Sequence, residues 1–144
     1  MKLISHRGNI NGRIPELENT TGYIDIAITN GYDVEVDIRV IEGILNLGHD
    51  ESKCNITMDW LNKRYNKLWL HCKNTEAIEF FEATEGFNYF WHENDTLTIT
   101  SAGYIWVYPG KQIVKNSIAV LPEIHNDDIS QCVGICSDII ERYK

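Results

Sequence analysis

The sequence predicts an α/β fold built on a parallel sheet, and three observations predict it. Most apolar runs are bounded by turn residues and are too short for helices, so they read as strands. Between the earlier runs, apolar residues recur at helical spacing behind capping residues. The front of the chain therefore alternates strand, helix and strand, the order a parallel sheet with crossover helices requires. The 144 residues fit one domain, residues 1–144, because chains of this length usually close a single hydrophobic core. A 43% hydrophobic content with only 3 Pro and 10 Gly describes a folded globule and excludes a disordered or collagen-like chain.

The first strand spans 2–5. Asn19 or Thr20 can cap a helix that places Tyr23, Ile24, Ala27 and Ile28 on one face and stops at Asn30-Gly31. Strands follow at 33–40 and 44–48, and a second helix follows Thr57 with Met58, Leu61 and Tyr65 at helical spacing. After a strand at 67–72, a third helix starts behind Asn74 or Thr75. It carries Glu76 in its first turn, where the helix dipole favours an acid, and buries Ala77, Ile78, Phe80 and Phe81. The back half differs: strands at 88–91, 104–108, 117–121 and 133–136 succeed one another through short turns such as Pro109-Gly110, leaving little length for crossover helices.

Net charge is −8, with the carboxylate surplus concentrated in residues 73–144. No basic run exists, which argues against nucleic acid or an anionic membrane as partner, while the acidic excess is compatible with a bound divalent cation. The amino terminus lacks the apolar stretch of a signal peptide, and no segment approaches the ~18 apolar residues that span a bilayer, so the sequence points to a cytoplasmic protein without membrane insertion. Cys54, Cys72, Cys132 and Cys136 form no C-x-x-C pair, which argues against a structural zinc site and for reduced thiols.

Five stations can carry chemistry. Residues 33–40 alternate strictly, placing Val34, Val36, Ile38 and Val40 on one face and Asp33, Glu35, Asp37 and Arg39 on the other. Glu35 and Asp37 then project side by side at roughly the 7 Å repeat of a strand, and a divalent cation is one way to keep both ionised. The same pattern is the signature of a half-exposed antiparallel strand with a solvated polar face. His6-Arg7-Gly8 ends the first strand, giving a group that titrates near neutrality, a phosphate-pairing guanidinium and a flexible turn; it also reads as a surface turn. His49 closes a short strand and precedes Asp50. Trp91-His92-Glu93-Asn94-Asp95 and Glu123 could touch metal or substrate, or form polar loops. Trp69, Trp91 and Trp106 read as core or pocket wall.

The order of these stations is informative. His6-Arg7-Gly8, Pro15-Glu16-Leu17-Glu18-Asn19-Thr20, Glu35-x-Asp37, Gly43 and Gly48-His49-Asp50 follow one another within residues 3–51. That half of the chain resembles the glycerophosphodiester phosphodiesterase family, of the phospholipase-C-like phosphodiesterase superfamily. Two departures are that Leu17-Glu18 extends the Pro-Glu-Asn-Thr station and Glu42-Gly43 stands for Asp-Gly. Further on, Leu68-Trp69-Leu70-His71-Cys72-Lys73 resembles the family strand ending Glu-x-Lys, and Gly134-Ile135-Cys136-Ser137-Asp138 resembles its closing Gly-x-x-T-D station. Tyr104-Ile105-Trp106-Val107 resembles a tryptophan-bearing late strand.

The resemblance implies a (β/α)8 barrel with its site at the carboxyl ends of the strands. Such a barrel usually takes about 250 residues, so the expectation here is a compact or truncated TIM-type barrel with several outer helices missing, mostly after Asn88. It further implies metal-dependent cleavage of a small phosphodiester, such as a glycerophosphodiester, with Glu35 and Asp37 on a divalent cation (Mg, Ca or Mn) and Arg7 and Lys73 on the phosphate. His6 and His49 would act as base and acid, and Glu18 would support the site by orienting a histidine or approaching the metal. His71 falls where a third carboxylate ligand is expected; an imidazole suits Mn or Zn better than Ca or Mg. The other readings are a sphingomyelinase-D-like enzyme that releases a phospholipid headgroup, and a catalytically silent barrel serving as a binding module. Missing helices would expose strand faces that a second copy of the chain could cover.

Overall fold

The structure, a computed structural model of the chain, describes residues 1–111 and 114–144. Its ten strands are β1 (Lys2–His6), β2 (Asp33–Ile41), β3 (Ile44–Leu47), β4 (Cys54–Asn55), β5 (Leu68–Cys72), β6 (Asn88–Phe90), β7 (Leu97–Ile99), β8 (Ile105–Val107), β9 (Ser117–Val120) and β10 (Gly134–Ser137). The helices are α1 (Thr21–Thr29), α2 (Met58–Asn62) and α3 (Thr75–Glu82). Thr57 and Asn74 cap α2 and α3 through side-chain oxygens that accept from Trp60 N and Ala77 N. Asn74 also bonds both backbone groups of Val40, tying α3 to β2. Thr20 precedes α1 but its hydroxyl donates to Leu17 O instead.

Seven strands run parallel in the order β6-β5-β2-β1-β10-β9-β8. Around them β7 pairs antiparallel with β8, and β3 and β4 form an antiparallel extension of the far half of β2. Glu42 and Gly43 turn the β2–β3 hairpin with φ of 50° and 77°, and their amides donate to the Glu76 carboxylate. The sheet curls as a half-barrel. Its gap between β6 and β8 is spanned at one end, where Ser101 N donates to Tyr89 O at 2.8 Å.

The expected (β/α)8 barrel, even a truncated one, is therefore not what the chain forms. The sheet is mixed and has ten strands, and only three α-helices accompany it among the described residues. The reason is connection length. A parallel crossover usually needs a dozen or more residues, whereas β6, β7 and β8 are separated by segments as short as 91–96 and 100–104. The longer link from β9 to β10 holds a single 3-10 turn, Pro122–Ile124.

Alternation sends the two faces of the strands to two cores. Outward, Val34, Val36 and Ile38 of β2 and Leu68, Leu70 and Cys72 of β5 pack against Ile24 and Ala27 of α1, Leu61 of α2, and Ala77 and Phe81 of α3. Inward, Ile4, Trp69, Phe90, Trp106, Ile118, Val120 and Cys136 fill the barrel interior. Trp69 and Trp106 are core, as expected, while Trp91 is 38% exposed and is not. All four cysteines are free. No helix among the described residues is long and apolar enough to cross a membrane.

Candidate active site

Strand β2 places Glu35 and Asp37 on the inner face of the half-barrel, beside the interior core that holds Ile4, Trp69, Phe90 and Trp106. They are 1% and 0% exposed, so the polar face of this strand is not a solvated one. Parallel register decides what stands beside them. His6 is the Cα partner of Glu35 across β1–β2, and His71 is the partner of Asp37 across β2–β5. Four chemically active side chains thus meet in one row because of strand register alone.

Glu35, Asp37 and His71 each bring a potential ligand atom to within 4.8 Å of the others. His71 Nδ1 lies 3.5 Å from Glu35 Oε1 and 3.4 Å from Asp37 Oδ1. Its Nε2 is 2.8 Å from the carbonyl of His92, a bond that places the proton on Nε2 and leaves the Nδ1 lone pair facing the carboxylates. Phe90 stacks on the ring at 4.9 Å and fixes its plane. Glu35 Oε2 and Asp37 Oδ1 are buried without a hydrogen-bond partner among the described residues. Burial would raise the pKa of Glu35, but the positive charges of His6 and Arg7, and of His71 whenever its Nδ1 carries a proton, outweigh it and hold it below the ordinary carboxylate range.

His6 is held at its other nitrogen. Its Nδ1 lies 2.7 Å from Asp138 Oδ1, and its Nε2 lies 3.7 Å from Glu35 Oε2. Burial alone would lower its pKa; the bond to Asp138 and the charges of Glu35 and Asp138 raise it above the ordinary histidine value. Asp138 is itself supported. Asn9, fully buried, donates from Nδ2 to Asp138 Oδ1 at 2.8 Å and to Glu18 Oε1 at 2.9 Å. Glu18 also accepts from Arg13 and Arg7, at 3.0 and 3.4 Å. Desolvation opposes ionisation of Glu18, yet Arg13, Asn9 and Arg7 hold its pKa at about 2. Of the two roles expected for Glu18, its contacts match the first: it reaches His6 through Asn9 and Asp138. Glu123 accepts from Ser137 Oγ and Asp138 N, bracing the end of β10 rather than entering the cavity.

Arg7 adopts φ +57°, turning the chain directly after β1, and its Nε is ion-paired with Asp37 at 2.8 Å. Asn19, also at φ +57°, bonds Asp37 twice: Nδ2 donates to Oδ2 at 2.9 Å, and Asp37 N donates to Asn19 Oδ1 at 3.0 Å. Gly8 has φ +95°, and a Cβ there would lie 2.7 Å from the Tyr23 ring.

A cavity of about 630 Å³ opens over this row. His6, Arg7, Glu35, His49, His71 and Lys73 line it, so the expected catalytic and phosphate-binding residues and two of the three expected metal ligands share one chamber, with Asp37 buried behind it. Lys73 follows the end of β5. His49 sits on the loop after β3, partly exposed, with Nδ1 2.8 Å from Asp50 Oδ1. That loop is anchored by Arg39, whose guanidinium donates to the carbonyls of Gly48 and His49. His92, Glu93, Asn94 and His125 line the cavity as well, and Trp106, Tyr108, Leu121 and Ile124 give it apolar surface.

Sequence reasoning gave Asn9 no role, read Asn19 as a helix cap, left His92 between a ligand and a loop residue, and placed Asp138 at a closing station without a task. That closing station was a signal that could have found the role of Asp138; the amides carried none, because their partners lie on other elements. Compared with models of known protein families, with curated proteins and with solved structures, the chain matches none.

Proposed function

We propose that the chain cleaves small phosphodiesters with the help of a divalent cation, glycerophosphodiesters being the class that the resemblance of residues 3–51 implies. One observation carries the reading. Two buried carboxylates and an imidazole lone pair converge within 4.8 Å, and Glu35 and His71 of this trio open onto a cavity that His6, His49, Arg7 and Lys73 also line. The donor set fits a cation: Glu35 Oε2 and Asp37 Oδ1 lack other partners, and His71 has its proton on the far nitrogen. Glu35, Asp37 and His71 would hold it, and when bound it would supply positive charge to a phosphate oxygen.

The remaining work falls to side chains of the chain itself. His6, with Nδ1 committed to Asp138, offers Nε2 as the base that takes a proton from the attacking hydroxyl or water. His49, partly exposed and lining the same cavity, would protonate the leaving oxygen. Lys73 adds charge beside the phosphate, while Arg7 keeps Asp37 ionised and faces the same chamber.

The test is release of alcohol from a panel of glycerophosphodiesters and from bis(p-nitrophenyl) phosphate, with protein stripped by chelator and reloaded with Mg, Mn or Ca. Metal-dependent release is expected, falling by roughly 10²-fold or more in His6→Ala and in His49→Ala. Inactivity towards every diester in every metal form, or full activity in both variants, would overturn the proposal.

A further inference from the structure

His92 has polar atoms that the fold does not use. It is 6% exposed and lines the cavity, and both ring nitrogens are buried without a hydrogen-bond partner among the described residues. Its backbone carbonyl, not its ring, receives His71 Nε2. The ring packs edge-on against Tyr108 with centroids 5.5 Å apart, a contact a phenyl group would make equally well. Leaving a buried donor or acceptor unpaired costs about 1–3 kcal/mol, so an imidazole here has a reason only if something in the cavity pairs with it.

Chemistry and position narrow what that is. An imidazole in its ordinary neutral form presents one N–H donor and one lone pair. Phosphate oxygens without a proton only accept, and an ammonium group only donates; an alcohol hydroxyl does both. The His92 ring lies 6.4 Å from that of His71, so a phosphate held at the trio would bring the group it carries towards His92. Trp106, Tyr108, Leu121 and Ile124 line the same cavity and offer apolar surface to a carbon skeleton.

We propose that His92 is a specificity residue that reads a free hydroxyl on the alcohol esterified to the phosphate, so that the site prefers esters of a polyol to esters of a plain alkyl alcohol. This inference rests on the phosphodiesterase reading above.

Calorimetric titration of the Mn-loaded protein with glycerol 1-phosphate and with n-propyl phosphate tests it, since the two match in length and differ in their hydroxyls. The wild type should bind the first at least about tenfold more tightly, two hydroxyl-directed bonds being worth on the order of 1–3 kcal/mol. His92→Phe, which fills the same space without nitrogens, should bind both with the weaker affinity. His92→Gln, which keeps a donor and an acceptor, should recover part of the preference. Urea unfolding of His92→Phe should show no loss of stability, whereas a merely structural ring would show one. Equal binding in the wild type, or a preference that survives in His92→Phe, overturns the inference and leaves the phosphodiesterase reading in place. Failure of both esters and of inorganic phosphate to bind overturns both.

Discussion

Asp138 decides what His6 can do. By accepting from Nδ1 it fixes the tautomer in which Nε2 is the basic atom, and its charge helps to raise the histidine's pKa against the pull of burial. Asp138→Asn should therefore lower kcat/KM for a diester by at least about 10²-fold. It should also move the acidic limb of the pH profile to lower pH, because that limb reports the base of the free enzyme. A rate loss with an unmoved limb would mean that Asp138 acts on the fold alone. This pairing also shows where reading the sequence stops. Glu35 and Asp37 were visible from strict alternation, and His71 only through the resemblance, which sets it where a third carboxylate ligand is expected. The partnership of residues 6 and 138 spans nearly the whole chain, and only the pairing of β1 with β10 brings them together. The buried, unpartnered ring of His92 was equally hidden, since nothing in Trp91-His92-Glu93 says which way its middle residue faces.

Among the elements, β2 does the organising. Its first half pairs with β1 and β5, and its far half takes β3 in place of β1, which puts the His49 loop at the same mouth as His6. Eight strands and the three helices were legible from their apolar spacing, and α2 and α3 from their caps as well. β4 and β7 were not: β4 has two residues, and β7, although as long as β6 and β8, offers only Leu97 and Ile99 on either side of a threonine in a polar stretch. Asn74 shows the strength of a legible signal. Its side chain caps α3 and bonds both backbone groups of Val40, so Asn74→Ala should cost about 1–2 kcal/mol in urea unfolding, more than a typical exposed cap. The segment between β1 and α1 has no regular structure and depends on Glu18. With a pKa of about 2 in the fold against an ordinary 4.5, Glu18 contributes stability that is fully present above about pH 4.5 and is lost as pH falls towards 2. With chelator present, the wild-type urea midpoint should fall between pH 5.5 and pH 3. Glu18→Gln should start lower at pH 5.5 and fall less; an equal fall in both would remove Glu18 from the acid response.

At the scale of the whole molecule, the half-barrel sets an electrostatic problem that a bound cation would relieve. A chain of 144 residues lacks the length for eight crossover helices, so the interior core is small and the active row borders directly on it. Most of the acidic surplus is harmless there: Glu79, Glu82, Glu85, Glu93, Asp95 and Asp128 are exposed. Glu35 and Asp37 are the exception, two carboxylates on an inner face otherwise filled by Ile4, Trp69, Phe90 and Trp106. Asn19, Arg7 and the histidines satisfy part of that charge, and the atoms left over point to binding energy that should appear as folding stability. A ligand bound only by the native state stabilises it by about 2.7 kcal/mol at a hundredfold excess over its Kd. For a domain of this size that is a rise in Tm on the order of 5–10 °C. Mn should produce this rise in the wild type, Glu35→Gln and His71→Ala should abolish it, and Asp50→Asn, outside the trio, should keep it. A wild-type Tm indifferent to Mn, or an equal rise in Glu35→Gln, would show that the convergence of β2 and β5 does not form a metal centre, whatever activity the protein displays.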